Sequence, residues 1–153
     1  MVRTRTMPRP EWSVYWPEII KYYSGIDVKG KILFYVGCDY GTSPMYFLRR
    51  GAAFVFGFSL DKQIFRSDWY RHHVNMPPED IMHLPLSGSE ILKIDAEGME
   101  WDFQPLWINK FADWIIACHK PVRNPTLHAW IEENGERIME SDGQEFAIYR
   151  KRA

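Results

Sequence analysis

The chain has 153 residues, a hydrophobic fraction of 46% and a formal net charge of −1. This length and apolar content predict one folded domain and exclude a disordered chain. The charge excludes the strongly basic balance of many nucleic-acid-binding proteins, so a nucleic-acid partner is not expected. No stretch approaches the roughly 18 consecutive apolar residues of a membrane-spanning helix, so no membrane partner is expected either.

The ends and the cysteines favour a simple cytoplasmic domain. Residues 1–10 predict a flexible basic arm without the apolar stretch of a signal peptide, and residues 11–153 predict a single domain. In a reducing cytoplasm we expect Cys38 and Cys118 to be free thiols. The aromatic fraction of 16% is compatible with a homodimer.

In chain order, the first half alternates between helical and strand patterns. Residues 11–25 predict a helix or a pair of helices, and the apolar run at 31–36 predicts a strand buried on both faces. A short helix is expected at 43–51, between a proline suited to its first turn and a glycine suited to its end. A second buried strand at 52–59 and a helix at 61–73 follow.

The second half continues the alternation and ends differently. In order, it contains an ambiguous segment at 74–90 with a short strand or a helical turn, a strand at 90–95, a helix at 99–111 with a break at Pro105, a strand at 112–119 and a helix at 124–135. Residues 136–151 alternate around Asp142 and Gly143, which predicts a closing hairpin with an Asp-Gly turn.

Alternation of buried strands with helices predicts the α/β class. We expect a three-layer sandwich with a mostly parallel sheet and a C-terminal antiparallel hairpin. Ligands bind such sheets beyond the carboxyl ends of the strands. The segments YVGCDYGTS, GFSLD, DAEGME and ACHK follow or close predicted strands, so they should be neighbours in space.

Two glycines frame the loop after the first strand. Gly37 lets the backbone turn sharply, and Gly41 lets the next helix pack close to the strand. Asp39 lies between them and tolerates left-handed backbone angles better than most residues. The loop lacks both G-x-G-x-x-G and a G-K-[ST] ending, which disfavours a third interpretation, a protein that binds NAD or another nucleotide.

The segment LKIDAEGME carries a sharper signal. Asp95 ends a buried strand, and Glu97 and Gly98 follow at once. A carboxylate at a buried strand end needs a binding partner or a function. The alternative is structural, with Asp95 capping the next helix.

Together these segments resemble the FkbM-like family of S-adenosylmethionine-dependent methyltransferases, which belong to the class I, Rossmann-like group. YVGCDYGTS lies in register with the family's D-x-G-A-N-x-G loop, and Lys93 to Glu100 match K-[IV]-D-[VI]-E-G-x-E nearly residue for residue. IIACH corresponds to a later family strand that often ends E-x-H. The resemblance spans roughly residues 30–150, and it implies a compact class I methyltransferase-like fold.

The resemblance implies S-adenosyl-L-methionine as cofactor and methyl transfer to a hydroxyl, with a small molecule or glycan as substrate. It implies catalytic functions for Asp95 and Glu97, beside the methyl group, with a carboxylate or His119 taking the substrate proton. The implied cofactor-binding residues are Gly37, Cys38, Asp39, Gly41, Ser59, Asp61 and Asp95.

Three positions depart from the family pattern. Tyr35 stands where the family has an acid before the first glycine, Ser59 stands where an acid binds the ribose, and Ala117 replaces the glutamate of E-x-H. These departures keep a second interpretation open, in which a catalytically degenerate methyltransferase-like domain acts as a binding or assembly module. Asp61, two residues after Ser59, is a substitute for the acid that binds the ribose, but it does not align with that position of the family pattern.

Two further patterns favour structure over function. The histidines His72, His73 and His83 lack the ligand spacing of a metal site, so no metal is expected. The tryptophans are more typical of a core or an interface than of a base-stacking surface. They are Trp101, Trp107, Trp114 and Trp130.

Overall fold

The computed structural model describes residues 16–37, 42–58, 73–74 and 78–153. Its helices are α1 (Trp16–Tyr23), α2 (Thr42–Arg49), α3 (Pro78–Ile81), α4 (Pro105–Ile108) and α5 (Pro125–Asn134). Its strands are β1 (Ile32–Val36), β2 (Phe54–Phe58), β3 (His73–Val74), β4 (Ile91–Ile94), β5 (Asp113–His119), β6 (Gly135–Glu140) and β7 (Phe146–Lys151). Within the described ranges, 3₁₀ turns cover Met99–Asp102 and Asp142–Gln144.

The strands of the described part of the chain form one seven-stranded sheet in the order β3-β2-β1-β4-β5-β7-β6. The five strands from β3 to β5 are parallel, and β7 runs antiparallel to both β5 and β6. The predicted α/β class, with a mostly parallel sheet and a C-terminal antiparallel hairpin, is therefore confirmed. Strands β1 and β4 are neighbours at the centre, so the segments that follow them meet at one edge.

Apolar side chains cover both faces of the sheet, which gives the predicted three layers. One buried cluster joins α1 and α2 to the sheet and includes Leu33 and Ile91. The other packs the 3₁₀ turn Met99–Asp102, α4 and α5 against the opposite face and includes Leu92 and Ile94. The strands at the centre are buried on both faces because successive side chains point in opposite directions.

Proline accounts for the break in the predicted helix at 99–111. Pro105 is the first residue of α4, where its missing N–H costs no helical hydrogen bond. The preceding 3₁₀ turn ends at Asp102, and Phe103 and Gln104 have extended backbones between the two elements. The ambiguous segment at 74–90 contains both alternatives, since β3 ends in it and α3 lies within it.

The closing hairpin is confirmed, but the expected two-residue Asp-Gly turn is wrong. Residues 141–145 join the two strands, and Ser141 pairs with Phe146 across this loop. The Ser141 amide donates to the Phe146 carbonyl at 2.9 Å, and the Phe146 amide donates to Ser141 Oγ at 3.0 Å. Gly143 and Gln144 take the positive φ angles, 77° and 59°, that close this longer loop.

Two sequence predictions concern parts of the chain outside the described residues. The basic arm at 1–10 lies entirely outside them, and so does the expected helix at 61–73 apart from His73. The domain boundaries therefore stay a prediction. None of the helices within the described ranges is both long enough and apolar enough to cross a membrane.

Candidate functional site

The backbones that follow β1 and β4 meet at Gly37 and Asp95. The Gly37 amide donates to the Phe58 carbonyl at 2.8 Å, and the Asp95 amide donates to the Val36 carbonyl at 3.0 Å. Gly37 has a φ of 80°, and a Cβ at this position would lie 2.1 Å from the Asp95 carbonyl oxygen. Only glycine fits here, so the strand ends are held in backbone contact at the carboxyl edge.

The Asp95 carboxylate lies between two potential cations. Its Oδ2 is 3.8 Å from Lys93 Nζ, and its Oδ1 is 3.6 Å from Nε2 of His119. The side chain of Asp95 is 39% exposed, so it also faces solvent at this edge. The alternative role as a helix cap is wrong, because Gly98 occupies the cap position of the following turn.

His119 ends β5 and lies between two carboxylates. Its Nδ1 is 3.0 Å from Oε1 of Glu100, and its backbone amide donates to the same oxygen at 2.7 Å. The ring of Phe146 on β7 packs against the imidazole, with ring centroids 5.3 Å apart. The result is an Asp95–His119–Glu100 array that runs from the exposed edge into the core.

The contact between His119 and Glu100 shifts the pKa of both groups. Burial lowers the pKa of His119, but the hydrogen bond to Glu100 and the negative charges of Glu100, Asp95 and Glu97 outweigh burial and raise that pKa above its ordinary value. Burial likewise opposes ionisation of Glu100, yet its hydrogen bonds with His119 lower the pKa of its carboxyl. Each partner therefore stabilises the charged form of the other.

The segment after Asp95 has an unusual backbone. Glu97 has a φ of 49°, and Gly98 has a φ of 113°. Two contacts hold this conformation: the Gly98 amide donates to Oε2 of Glu100 at 2.7 Å, and the guanidinium of Arg123 donates to the Gly98 carbonyl. A non-glycine residue in the left-handed region is common at functional sites, and here it leaves the side chain of Glu97 exposed.

Lys93 is a charged residue inside the sheet, with an exposed fraction of 1%. Its Nζ donates to the hydroxyl of Tyr35 at 2.6 Å and lies 4.1 Å and 4.4 Å from the ring centroids of Tyr35 and Tyr23. Tyr35, the departure from the family's acid, is thus a core residue whose hydroxyl accepts from a buried amine.

The other sequence-predicted residues fall into two groups. Ala117 is buried in β5 on the face that α1 and α2 cover. The remaining predicted cofactor residues, Cys38, Asp39, Gly41, Ser59 and Asp61, lie outside the described residues. Of the predicted site, the structure thus brings together Gly37, Asp95 and His119, with the exposed Glu97 two residues beyond Asp95.

Sequence reasoning missed Glu100 and Lys93. Both side chains are buried: Glu100 lies between a methionine and a tryptophan in the sequence, and Lys93 lies between a leucine and an isoleucine within β4. The available signal was the position of each charge inside an apolar stretch, because a charge that folding removes from water needs a partner.

The histidines and the tryptophans singled out in the sequence lie in different parts of the fold. Within the described ranges, no group of three His, Cys, Asp or Glu side chains is arranged to hold a metal ion. His83 is exposed after α3, and His72 lies outside these ranges. Trp101 and Trp114 are buried core residues, and the indole of Trp101 donates to the His119 carbonyl at 3.0 Å.

The fold is that of the class I methyltransferases. The chain is similar to M. capricolum TrmK, solved in complex with S-adenosyl-homocysteine, with a TM-score of 0.57 and 12% identity over 95% of this chain and 69% of that chain. It is also similar to Aeropyrum pernix fibrillarin, solved with natively bound S-adenosyl-L-methionine, with a TM-score of 0.56 and 15% identity over 83% of this chain and 69% of that chain. At these identities the likeness shows the fold.

The chain belongs to the same family as uncharacterized protein 158B of Sulfolobus islandicus rod-shaped virus 1. The two are 30% identical over 117 residues, which cover 72% of this chain and 74% of the viral protein. Uncharacterized protein 65 of Sulfolobus islandicus filamentous virus is 29% identical over 141 residues, 88% of this chain and 89% of that protein. No protein-family model matches the chain, and the FkbM-like resemblance stays a prediction.

Proposed function

We propose that this chain binds S-adenosyl-L-methionine at the carboxyl edge of its sheet and methylates a hydroxyl of a small molecule or glycan. The observation that carries the proposal is the convergence of Gly37, Asp95 and His119 at that edge of a class I methyltransferase fold. The match of Lys93–Glu100 to the FkbM-like sequence pattern supports the same function.

The residues present fit such a cofactor. The backbone at Gly37 packs against Asp95 with no room for a Cβ, and the Asp95 carboxylate is partly exposed beside this contact. In this proposal the loop from Gly37 through Cys38 and Asp39 to Gly41 holds the methionine part, and Ser59 and Asp61 hold the ribose. When bound, S-adenosyl-L-methionine supplies a methyl group on a positively charged sulfur.

The side chains of the protein would accept the proton of the substrate and position the reactants. Nε2 of His119 would accept the proton of the acceptor hydroxyl as the bound cofactor gave up its methyl group to the hydroxyl oxygen. The products would be a methyl ether, S-adenosyl-homocysteine and a protonated His119. Asp95 stabilises the imidazolium that forms, and Glu97 is placed to contact the acceptor. Since the displacement is in line, positioning supplies most of the rate.

Calorimetric titration with S-adenosyl-L-methionine and S-adenosyl-homocysteine tests the proposal. We expect saturable binding of both, and Asp95→Ala should weaken it about 10-fold or more, because a hydrogen bond to a charged group contributes about 1.5–3 kcal/mol. Glu136→Ala is the control, since this exposed carboxylate lies at the start of β6, away from the edge. No heat at millimolar ligand would contradict the proposal.

One observation favours the second candidate, a degenerate domain that serves as a binding or assembly module. Tyr35 is buried with its hydroxyl against Lys93, so the position that carries an acid in the FkbM-like pattern presents no carboxylate to a ligand. This candidate predicts no binding of either compound in the same titration. A parallel titration with NAD tests the nucleotide-binding interpretation.

A further inference from the structure

Glu100 is the most deeply buried carboxylate among the described residues, with an exposed fraction of 0%. Removing an ionised carboxylate from water is costly unless hydrogen bonds replace the lost hydration. Glu100 has three such contacts: Oε1 with the amide and Nδ1 of His119, and Oε2 with the Gly98 amide. The proposed proton transfer to His119 assigns no role to this carboxylate.

The contact at Nδ1 determines which ring nitrogen carries the proton. An ionised carboxylate only accepts hydrogen bonds, so the 3.0 Å contact requires a hydrogen on Nδ1 of His119. A neutral imidazole has one N–H, which leaves Nε2 with its lone pair. Nε2 faces Oδ1 of Asp95 at 3.6 Å, beyond hydrogen-bond length, so that carboxylate competes weakly for the proton.

Further contacts, from Phe146 and Trp101, fix the orientation of His119. Phe146 of β7 packs against the imidazole face, and Trp101 donates to the His119 carbonyl at 3.0 Å. Trp101 and Glu100 are adjacent in the 3₁₀ turn, so this turn holds both the backbone and the ring of His119. The ring therefore cannot exchange its two nitrogens without breaking the Glu100 contact.

We propose that Glu100 is a positioning residue that holds His119 in the Nδ1–H tautomer and directs Nε2 toward Asp95 and the carboxyl edge as the proton acceptor. The proton-acceptor part rests on the proposed methyl transfer, whereas the tautomer does not. The acceptor hydroxyl loses its proton to Nε2, and the resulting imidazolium keeps Nδ1–H on Glu100, which itself takes no proton. Solvent removes the proton from the partly exposed ring.

Nitrogen NMR of the ¹⁵N-labelled full chain tests the tautomer directly. The His119 ring signals are identified by their loss in His119→Gln, and long-range proton–nitrogen correlations are followed through the pH titration. We expect neutral His119 to show a protonated Nδ1 and an unprotonated, pyridine-like Nε2. A protonated Nε2, or an even mixture of tautomers, would overturn the proposal.

A variant pair tests whether Glu100 is the cause. Glu100→Gln keeps the shape and an acceptor oxygen but removes the charge, so the His119 titration should move to lower pH. Glu132→Gln, the same change beside His128, should leave His119 unaltered. An unchanged His119 in folded Glu100→Gln would contradict the proposal. If Glu100→Gln does not fold, the wild-type tautomer decides.

Calorimetry with S-adenosyl-homocysteine separates this inference from the proposed function. Binding by wild type together with a protonated Nε2 would overturn the positioning role alone. No binding by wild type together with a protonated Nδ1 would overturn the proton-acceptor role and leave the tautomer assignment standing.

Discussion

Lys93 Nζ lies 2.6 Å from the hydroxyl oxygen of Tyr35, and the two residues are register partners on neighbouring strands β4 and β1. The rings of Tyr35 and Tyr23 flank the amine, and Asp95 lies 3.8 Å away. Aromatic faces attract a cation, and the hydroxyl supplies an oxygen acceptor. The charge of Lys93 is therefore accommodated beneath the carboxyl edge by partners from three elements.

Loss of the Tyr35 hydroxyl should destabilise the fold. We expect Tyr35→Phe to lower the free energy of unfolding by about 1.5–3 kcal/mol, because it removes an acceptor from a buried charged donor. Urea unfolding followed by circular dichroism measures the change. Tyr22→Phe, on a half-buried ring of α1, is the matched control and should shift stability by less than about 0.5 kcal/mol. Equal effects of the two variants would show that the hydroxyl contact contributes nothing specific.

A side chain at position 37 should disrupt the carboxyl edge. Gly37→Ala combines a φ of 80° with a Cβ placed 2.1 Å from the Asp95 carbonyl, so we expect a loss of more than about 3 kcal/mol. Gly30→Ala provides the comparison: its φ is 71°, but nothing lies within 4 Å of the added Cβ. That variant should be destabilised only by the cost of placing alanine in a left-handed backbone, about 1–2 kcal/mol. Thermal unfolding of both variants gives the difference, and similar losses would exclude the close contact.

The His119–Glu100 pair should make stability depend on pH. The pKa of His119 is raised in the folded state, so its contribution is complete below its ordinary value of 6.5 and is lost as pH rises through the raised value. The pKa of Glu100 is lowered, so its contribution is complete above its ordinary value of 4.5 and is lost as pH falls through the lowered value. Stability from this pair should be greatest between these two ordinary values.

Urea unfolding across the pH range, in wild type and His119→Gln, checks this dependence. The variant should lose the decline that begins as pH rises above 6.5, because it has no imidazole to deprotonate. His128→Gln, the same change on α5, should keep the wild-type curve. A decline above pH 6.5 that persists in His119→Gln would assign the dependence to another group.

Asn124 should stabilise the region around the 3₁₀ turn in two ways. Its Oδ1 accepts from the Leu127 amide at 3.0 Å as the cap of α5, and its Nδ2 donates to the Trp101 carbonyl at 3.2 Å. Asn124→Ala removes both contacts and should cost about 1–2 kcal/mol, whereas Asn124→Asp keeps the cap and loses only the second. Thermal unfolding should rank wild type above Asp and Asp above Ala. An Asp variant as unstable as the Ala variant would contradict the capping role.

The fold could be predicted from local patterns because the buried strands are short apolar runs and several of the breaks between elements coincide with glycine or proline. Pro105 and the alternation after Gly135 gave the element boundaries in this way. The hairpin turn could not be predicted, because its length depends on the Ser141–Phe146 pairing across the two strands. The pairing of Ser141 with Phe146 determined the loop length, and the local preference of Asp142 and Gly143 for a two-residue turn did not.

The candidate site was only partly predictable, for a related reason. Asp95 and His119 stand at strand ends, and strand ends of a parallel sheet meet at one edge, so their proximity followed from the element order. The contacts of Lys93 with Tyr35 and of Glu100 with His119 depend on register and on packing between elements. Lys93 is 58 positions from Tyr35 in the chain, and Glu100 is 19 positions from His119. Residues this far apart give no local signal that they pair.

A crystal structure of the full chain grown with S-adenosyl-homocysteine tests the central claim most directly. The account predicts the ligand at the carboxyl edge, over Gly37 and beside Asp95, with its sulfur on the side of the edge where Nε2 of His119 lies. Density for the ligand elsewhere on the chain, or a clear map at that edge without ligand at saturating concentration, would contradict it.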